Sequence, residues 1–323
     1  MRDSKDPDPT QPGRHRLLFQ ILAFAAIYLI WGSTYLAIRV GVRSIPPFLM
    51  AGCRFVLAGG ILYLVLRLRG VPAPSLGEWR RAALAGLLML TAGNGLVTWA
   101  ETRVPSNLAA LLVAAVPLYV AVLEWLRPGG AAPERRVWMG IAIGAAGMVL
   151  LVLRDPSGPS SAPTSALAIA ALLLSGFCWA AGSLYSRYGS MHRHPLMAAA
   201  QQMLAGGVAQ LMLSAARAEP RRFSASALSP EPLIAFAYLT LVGSLVAFSA
   251  FGWLVKASTP ARLSTTAYVN PVVAVILGWV MLGERLAPRA LAGAGLIVCA
   301  VMVMTLRGRL PRPRPAPRIA DAE

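Results

Sequence analysis

Few side chains in this chain could do chemistry inside its long apolar runs, and three stand out together: Arg54, Asn94 and Glu101. Arg54 falls about seven residues into the run 47–66, roughly 10 Å along a helix that rises about 1.5 Å per residue. A lone cation at that depth in hydrocarbon costs a few kcal/mol or more, so it needs a partner or a wet cavity. Glu101, at the end of the third run, is the nearest acid in depth, and Asn94 lies two turns deeper on the same run. The set could attract an anionic group on a solute, or open and close as an Arg54–Glu101 gate. A permanent ion pair that orients two helices is the structural alternative. Glu101 is also the candidate for proton coupling, a common role for carboxylates in membrane proteins. Arg54 beside it works against that role. No Asp appears in any run, which excludes an Asp-based proton relay.

A second group combines aromatic rings with small polar side chains. Trp31, Ser33, Tyr35, Trp179, Thr265, Tyr268 and Asn270 join Arg54 and Asn94 as candidates to line a cavity. Rings with polar tips suit varied organic solutes, which they hold by stacking and a few hydrogen bonds. Anchoring at the membrane–water boundary is the competing reading for such rings, and it is the better one for Trp79, Trp125 and Trp138. Pro117 and Pro271 lie inside apolar runs, where Pro frees a carbonyl and kinks a helix. They are expected as hinges, with tolerated tight packing as the alternative.

The elements that must carry these residues are membrane helices. The hydrophobic fraction is 57% and charged residues are 13%, a balance that soluble cores do not explain. Spans are read at 17–38, 47–66, 82–100, 105–126, 136–153, 165–186, 195–216, 232–255, 260–282 and 288–306. The first is too long for a signal-peptide core and is expected to stay uncleaved. The chain divides into a disordered N-terminus (1–16), a first repeat (17–153), a linker (154–164), a second repeat (165–306) and a basic, Pro-rich tail (307–323). The loop Ala215–Pro230 is the longest expected outside the membrane and is read as mobile. Of the thirty Lys and Arg, twenty fall in segments on the side of both termini and nine on the other. The positive-inside rule therefore places both termini in the cytoplasm. A net charge of +17 reads as bases in short loops facing anionic headgroups rather than as a nucleic-acid surface.

Cys53, Cys178 and Cys299 lie in spans and suggest no disulfide framework. His192 and His194 alone are a weak metal signal, so no metal and no cofactor are expected. Gly140 and Gly144 signal close helix packing, either within one protomer or at a dimer face. The expected partners are a small-molecule substrate, the lipid bilayer and protons as a candidate coupling ion, with the chain a monomer or homodimer.

The runs repeat as two sets of five. Trp31 and Arg39 match Trp179 and Arg187 at one offset of 148, and Pro117 matches Pro271 at 154. Gly140–Gly144 also resembles the stretch from Gly293 to Ile297. A five-span unit ends on the side opposite its start, so the second copy is expected upside down, with the specific site between the halves.

The segments Trp31-Gly32-Ser33-Thr34-Tyr35, Ala51-Gly52-Cys53-Arg54-Phe55, Thr91 to Glu101 and Ala267 to Val275 resemble the EamA-like family of the drug/metabolite transporter superfamily. Within it they are most similar to the YedA-type exporters. The resemblance covers roughly 17–306. It implies ten helices in two inverted EamA repeats, a bacterial inner-membrane location and export of small metabolites or drugs by alternating access. One departure is visible: Leu282-Gly283-Glu284-Arg285 fits the family pattern, but Pro128 to Ala132 in the first half has no Glu. A membrane sensor or receptor is the alternative, though it would usually append a soluble signalling domain. An intramembrane enzyme is the weakest reading, since nucleophile-elbow, His-Glu-x-x-His and nucleotide-loop motifs are missing.

Overall fold

A computed structural model describes residues 14–104, 109, 112–130, 132–152, 165–224, 229–282 and 288–305. Residues 1–13 and 307–323 of the expected disordered ends, the linker 154–164 and the Gly283–Arg285 part of the family motif lie outside the described residues, whereas residues 14–16, expected in the disordered N-terminus, belong to the first helix. Among those described, every regular element is helical. We number them α1 (Arg14–Gly41), α2 (Pro47–Leu68), α3 (Leu76–Ala100), α4 (Val116–Leu126) and α5 (Arg135–Val152) in the first half. The second half contains α6 (Ala166–Tyr188), α7 (Pro195–Ala216), α8 (Pro230–Ala257), α9 (Thr266–Leu282) and α10 (Pro288–Thr305).

Helices α1, α2, α3, α6, α7 and α8 are each long and apolar enough to cross a membrane. Their outward faces carry large apolar side chains, among them Leu29 at 62% exposure and Ile234 at 68%. A helix with apolar side chains both inside and outside is one that lipid must cover. Local chemistry sets the ends. Pro47, Pro195 and Pro230 open their helices, where a missing N–H costs nothing. Ser75 and Glu78 form a reciprocal capping box at the start of α3.

The two Pro positions behave differently. In the first half a turn at Ala114 and Ala115 precedes α4, and Pro117 sits in that helix's first turn. Pro117 therefore follows a break between helical Leu112–Val113 and α4, at a position where Pro has no intrahelical N–H bond to lose. Pro271 lies inside α9, and the break comes earlier, at Thr265. There Ser264, Thr265 and Thr266 each donate a hydroxyl hydrogen bond to the carbonyl three residues back. Such back-bonding bends helices.

Two features were not expected from sequence. Leu87–Asn94 in α3 and Leu239–Val246 in α8 are π-helical, at equivalent places in the two halves. Also, the halves interlock rather than sit side by side. A Cβ on Gly59 of α2 would lie 2.9 Å from Met203 Cβ of α7, and one on Gly207 of α7 would lie 2.8 Å from the Val56 amide of α2. Gly52 meets Leu211 in the same way. Rising numbers on one helix meet falling numbers on the other, so α2 and α7 pack antiparallel with reciprocal contacts. Helices α5 and α10 repeat this: Gly140 faces Met304 and the Ala300 carbonyl, and Gly147 faces the Gly293 carbonyl. Gly144 meets the Tyr268 ring, so both glycines of the Gly140–Gly144 pair pack within the chain.

Part of the loop after α7 has regular structure. Glu219–Arg222 forms a short 3-10 helix, and buried Glu219 accepts a 2.9 Å hydrogen bond from the Leu49 amide. That carboxylate satisfies an orphan donor in the first turn of α2.

Candidate functional site

The π segments place backbone carbonyls against polar side chains of the opposite half. A π turn leaves carbonyls without their α-helical partners, and such bulges cluster at functional sites. Gln210 donates to the Leu90 carbonyl at 2.5 Å, and the Trp31 indole donates to the Gly243 carbonyl at 3.2 Å. The second bond fixes the Trp31 ring. It is one wall of a cavity of about 100 Å³ between the halves.

From the first half the cavity takes Trp31, Thr34, Tyr35, Arg54, Phe55 and Asn94. From the second it takes Ser175, Trp179, Phe248, Thr266 and Asn270. Gly32 lets α1 approach α9, since a Cβ there would lie 2.5 Å from Val273 Cβ. Arg54 is 3% exposed. Its Nη2 donates to Asn94 Oδ1 at 2.6 Å, and its guanidinium carbon lies 4.5 Å from the Phe55 ring centroid. Arg54 Nε and Asn270 Oδ1 are buried with no hydrogen-bond partner. Among the described residues the lining contains a cation and no carboxylate, so the cavity is electropositive. It can accept an anionic group at Arg54, offer hydrogen bonds from Asn94 and Asn270, and pack an apolar body against the rings.

One end of the cavity is shut by aromatic side chains. Trp31 and Trp179, which are repeat equivalents, meet edge-on at 5.3 Å, and Phe251 lies 5.1 Å from Trp31 and 5.3 Å from Trp179. Beyond this layer a smaller space is lined by Trp179, Ser183, Arg187, Phe251 and Ser264.

Of the residues expected from sequence, Trp31, Tyr35, Arg54, Asn94, Trp179 and Asn270 come together here. Ser33, Thr265 and Tyr268 do not line the cavity. The Ser33 hydroxyl donates to the Ile30 carbonyl and lies 2.5 Å from the Tyr238 hydroxyl. Thr265 Oγ1 is 2.7 Å from the Tyr28 hydroxyl. Tyr268 is packed against α5. Glu101 is 4% exposed, with neither carboxylate oxygen hydrogen-bonded. Among the described residues the close ion pairs are Arg127–Glu124 and Arg136–Glu134, and Arg54 and Glu101 form none. Sequence reasoning missed Thr34, Ser175 and Thr266 as lining residues. Each donates its hydroxyl to the carbonyl three residues back, as ordinary helical Ser and Thr do.

The EamA-like transporter family matches residues 18–153 and again 166–306, one copy in each interlocked half. The chain belongs to the EamA-like transporter family. It is 43% identical over 305 residues to the uncharacterized inner membrane transporter YedA of Escherichia coli K12, covering 93% of this chain and 95% of that one. It is 28% identical over 291 residues to a protein of Streptantibioticus cattleyicolor named "Probable terminal-alkyne amino-acid exporter", covering 89% and 93%. A solved crystal structure shares its fold with a TM-score of 0.72 at 22% identity, over 90% of this chain and 97% of that one. This EamA-like protein is a YedA-type, multi-pass transporter of the inner membrane.

Proposed function

We propose that this EamA-like transporter exports small metabolites, amino acids or related solutes, or drugs, by alternating access around the cavity that holds Arg54. The observation that carries this reading is a buried, incompletely partnered Arg54 in the wall of a cavity shared by two interlocked repeats. A buried cation with free donors in an otherwise apolar wall favours a solute with an anionic group. The Streptantibioticus exporter, whose name specifies amino acids, supports solutes of that class.

Ten spans in two inverted sets, with both termini cytoplasmic, form the frame of this mechanism. The antiparallel, reciprocal packing of α2 on α7 and of α5 on α10 supports inversion, because an inverted pair of repeats brings equivalent helices together in opposite directions. The breaks at Ala114–Ala115 and Thr265, beside Pro117 and ahead of Pro271, are where the halves flex. Glu101 serves gating or proton exchange: a buried carboxylate with no hydrogen-bond partner can take up a proton or a cation as the cavity changes sides.

A resistance screen tests the export reading. A bacterial strain expressing the chain is expected to tolerate higher concentrations of at least one toxic amino-acid analogue or drug than a strain carrying the empty vector. Equal sensitivity across the whole set would count against export.

A further inference from the structure

An aromatic layer of Trp31, Trp179 and Phe251 lies across one end of the cavity, and two repeat-equivalent arginines differ in the matching way. Arg39 ends α1 and Arg187 ends α6, each eight residues beyond its Trp. The Trp residues meet at the centre, so each Arg lies about 12 Å further along its helix. The helices run in opposite directions. Gln20, near the start of α1, donates to the Ala257 carbonyl at the end of α8, where Arg187 also binds. At the other end Tyr35 clusters with Ala168 and Leu172, near the start of α6.

Arg187 is engaged. Its Nη1 donates to the Val255 carbonyl at 2.5 Å and to the Ser258 carbonyl, and Lys256 Nζ donates to the Arg187 carbonyl. The Val255 carbonyl is in the last turn of α8 and that of Ser258 follows at its cap, where carbonyls lack partners within the helix and sit at its negative end. The bracket closes the space beyond the aromatic layer, where Arg187 itself lines the wall.

Arg39 occupies the equivalent place at the opposite end, one turn beyond Tyr35, which clusters with Val97 and Ala100 at the C-terminal end of α3. It is exposed, and among the described residues it makes no side-chain hydrogen bond or close ion pair. Its target is present: Glu101 caps the end of α3 with both carboxylate oxygens unpartnered. The cavity reaches towards this end through Tyr35 and Ile38.

We propose that Arg39 and Arg187 are alternating latches, with Arg187 closing one end by bracketing the last turn of α8 and Arg39 closing the other by docking on Glu101. The structure holds the state with the Arg187 latch shut and the Arg39 latch open. This deepens the alternating-access reading and rests on it. It also gives Glu101 a partner other than Arg54.

Thiol labelling of Ser175→Cys in the full chain tests the latches, with Cys53, Cys178 and Cys299 replaced by Ser. A membrane-impermeant maleimide is applied from each side in oriented vesicles. Arg187→Gln is expected to lower labelling from the Arg39 side and raise it from the Arg187 side, shifting their ratio about tenfold. Arg39→Gln is expected to shift it about as far in the opposite direction. Arg187→Lys, which keeps a charged donor, should shift it less than Arg187→Gln and keeps the test valid if the Gln variant does not fold. Shifts in the same direction, or no shift in either variant, overturn the proposal. If the parent Ser175→Cys protein labels from neither side, alternating access itself fails, and the latches fail with it.

Discussion

Arg54 sits among Phe55, Trp31 and Trp179 with its one hydrogen bond going to Asn94, so most of its donors remain available to a solute. Hydrogen bonds to a charged group contribute about 1.5–3 kcal/mol each, more than neutral ones. Arg54→Gln keeps a polar group of similar reach but removes the charge. It is expected to weaken binding of an anionic solute by about ten- to a hundredfold, read as loss of the solute-dependent rise in melting temperature. The fold itself should survive, because no close carboxylate is left unpaired. Arg54, Asn94, Trp31, Tyr35, Trp179 and Asn270 were legible in the sequence because polar or ringed groups in apolar runs demand an explanation. Thr34, Ser175 and Thr266 were not, since a helical hydroxyl bonded to its own backbone looks the same on any face. Ser33 and Thr34 are neighbours about 100° apart on one helix. Only the packing of α1 decides which of them meets the cavity.

The helices are held by glycine at their crossings, which leads to a prediction at the level of the element. On α2, Gly59 has backbone and side-chain atoms of α7 within 3.0 Å of its absent Cβ, whereas Gly60 has nothing within 4 Å. Gly59→Val is expected to destabilise the chain in detergent by about 1–3 kcal/mol, the usual cost of overpacking. Gly60→Ala is expected to cost nothing, and unfolding of the two variants in denaturant checks both. The positions and lengths of the long apolar helices could be read from hydropathy because the bilayer requires about 20 apolar residues. The π segments could not, since Leu87–Asn94 and Leu239–Val246 have ordinary helical composition and the groups that bond to their carbonyls come from the other half. Pro117 marked the break in the sequence, but not its place three residues earlier. That depended on the turn at Ala114–Ala115 rather than on Pro itself.

Across the whole molecule, two EamA copies build one site from both halves, so neither half could hold the cavity alone. The duplication was readable from Trp31–Trp179, Arg39–Arg187 and Pro117–Pro271, but the interlocking of the copies was not. Glycine spacing marks a close crossing without naming the helix across it. The solute is the part that sequence and fold leave most open, because walls of five aromatic side chains with scattered amides and hydroxyls accept many shapes, and Arg54 alone fixes a sign of charge. Flux by the purified chain in proteoliposomes measures the central claim most directly. Vesicles are loaded with a solute that scores in the resistance screen, and its exit is followed with and without the chain. The expected result is saturable exit down the solute gradient through the parent chain, lowered at least about tenfold by Arg54→Gln at subsaturating solute. Exit no faster than from protein-free vesicles, or parent-like flux through Arg54→Gln, would contradict transport through this cavity.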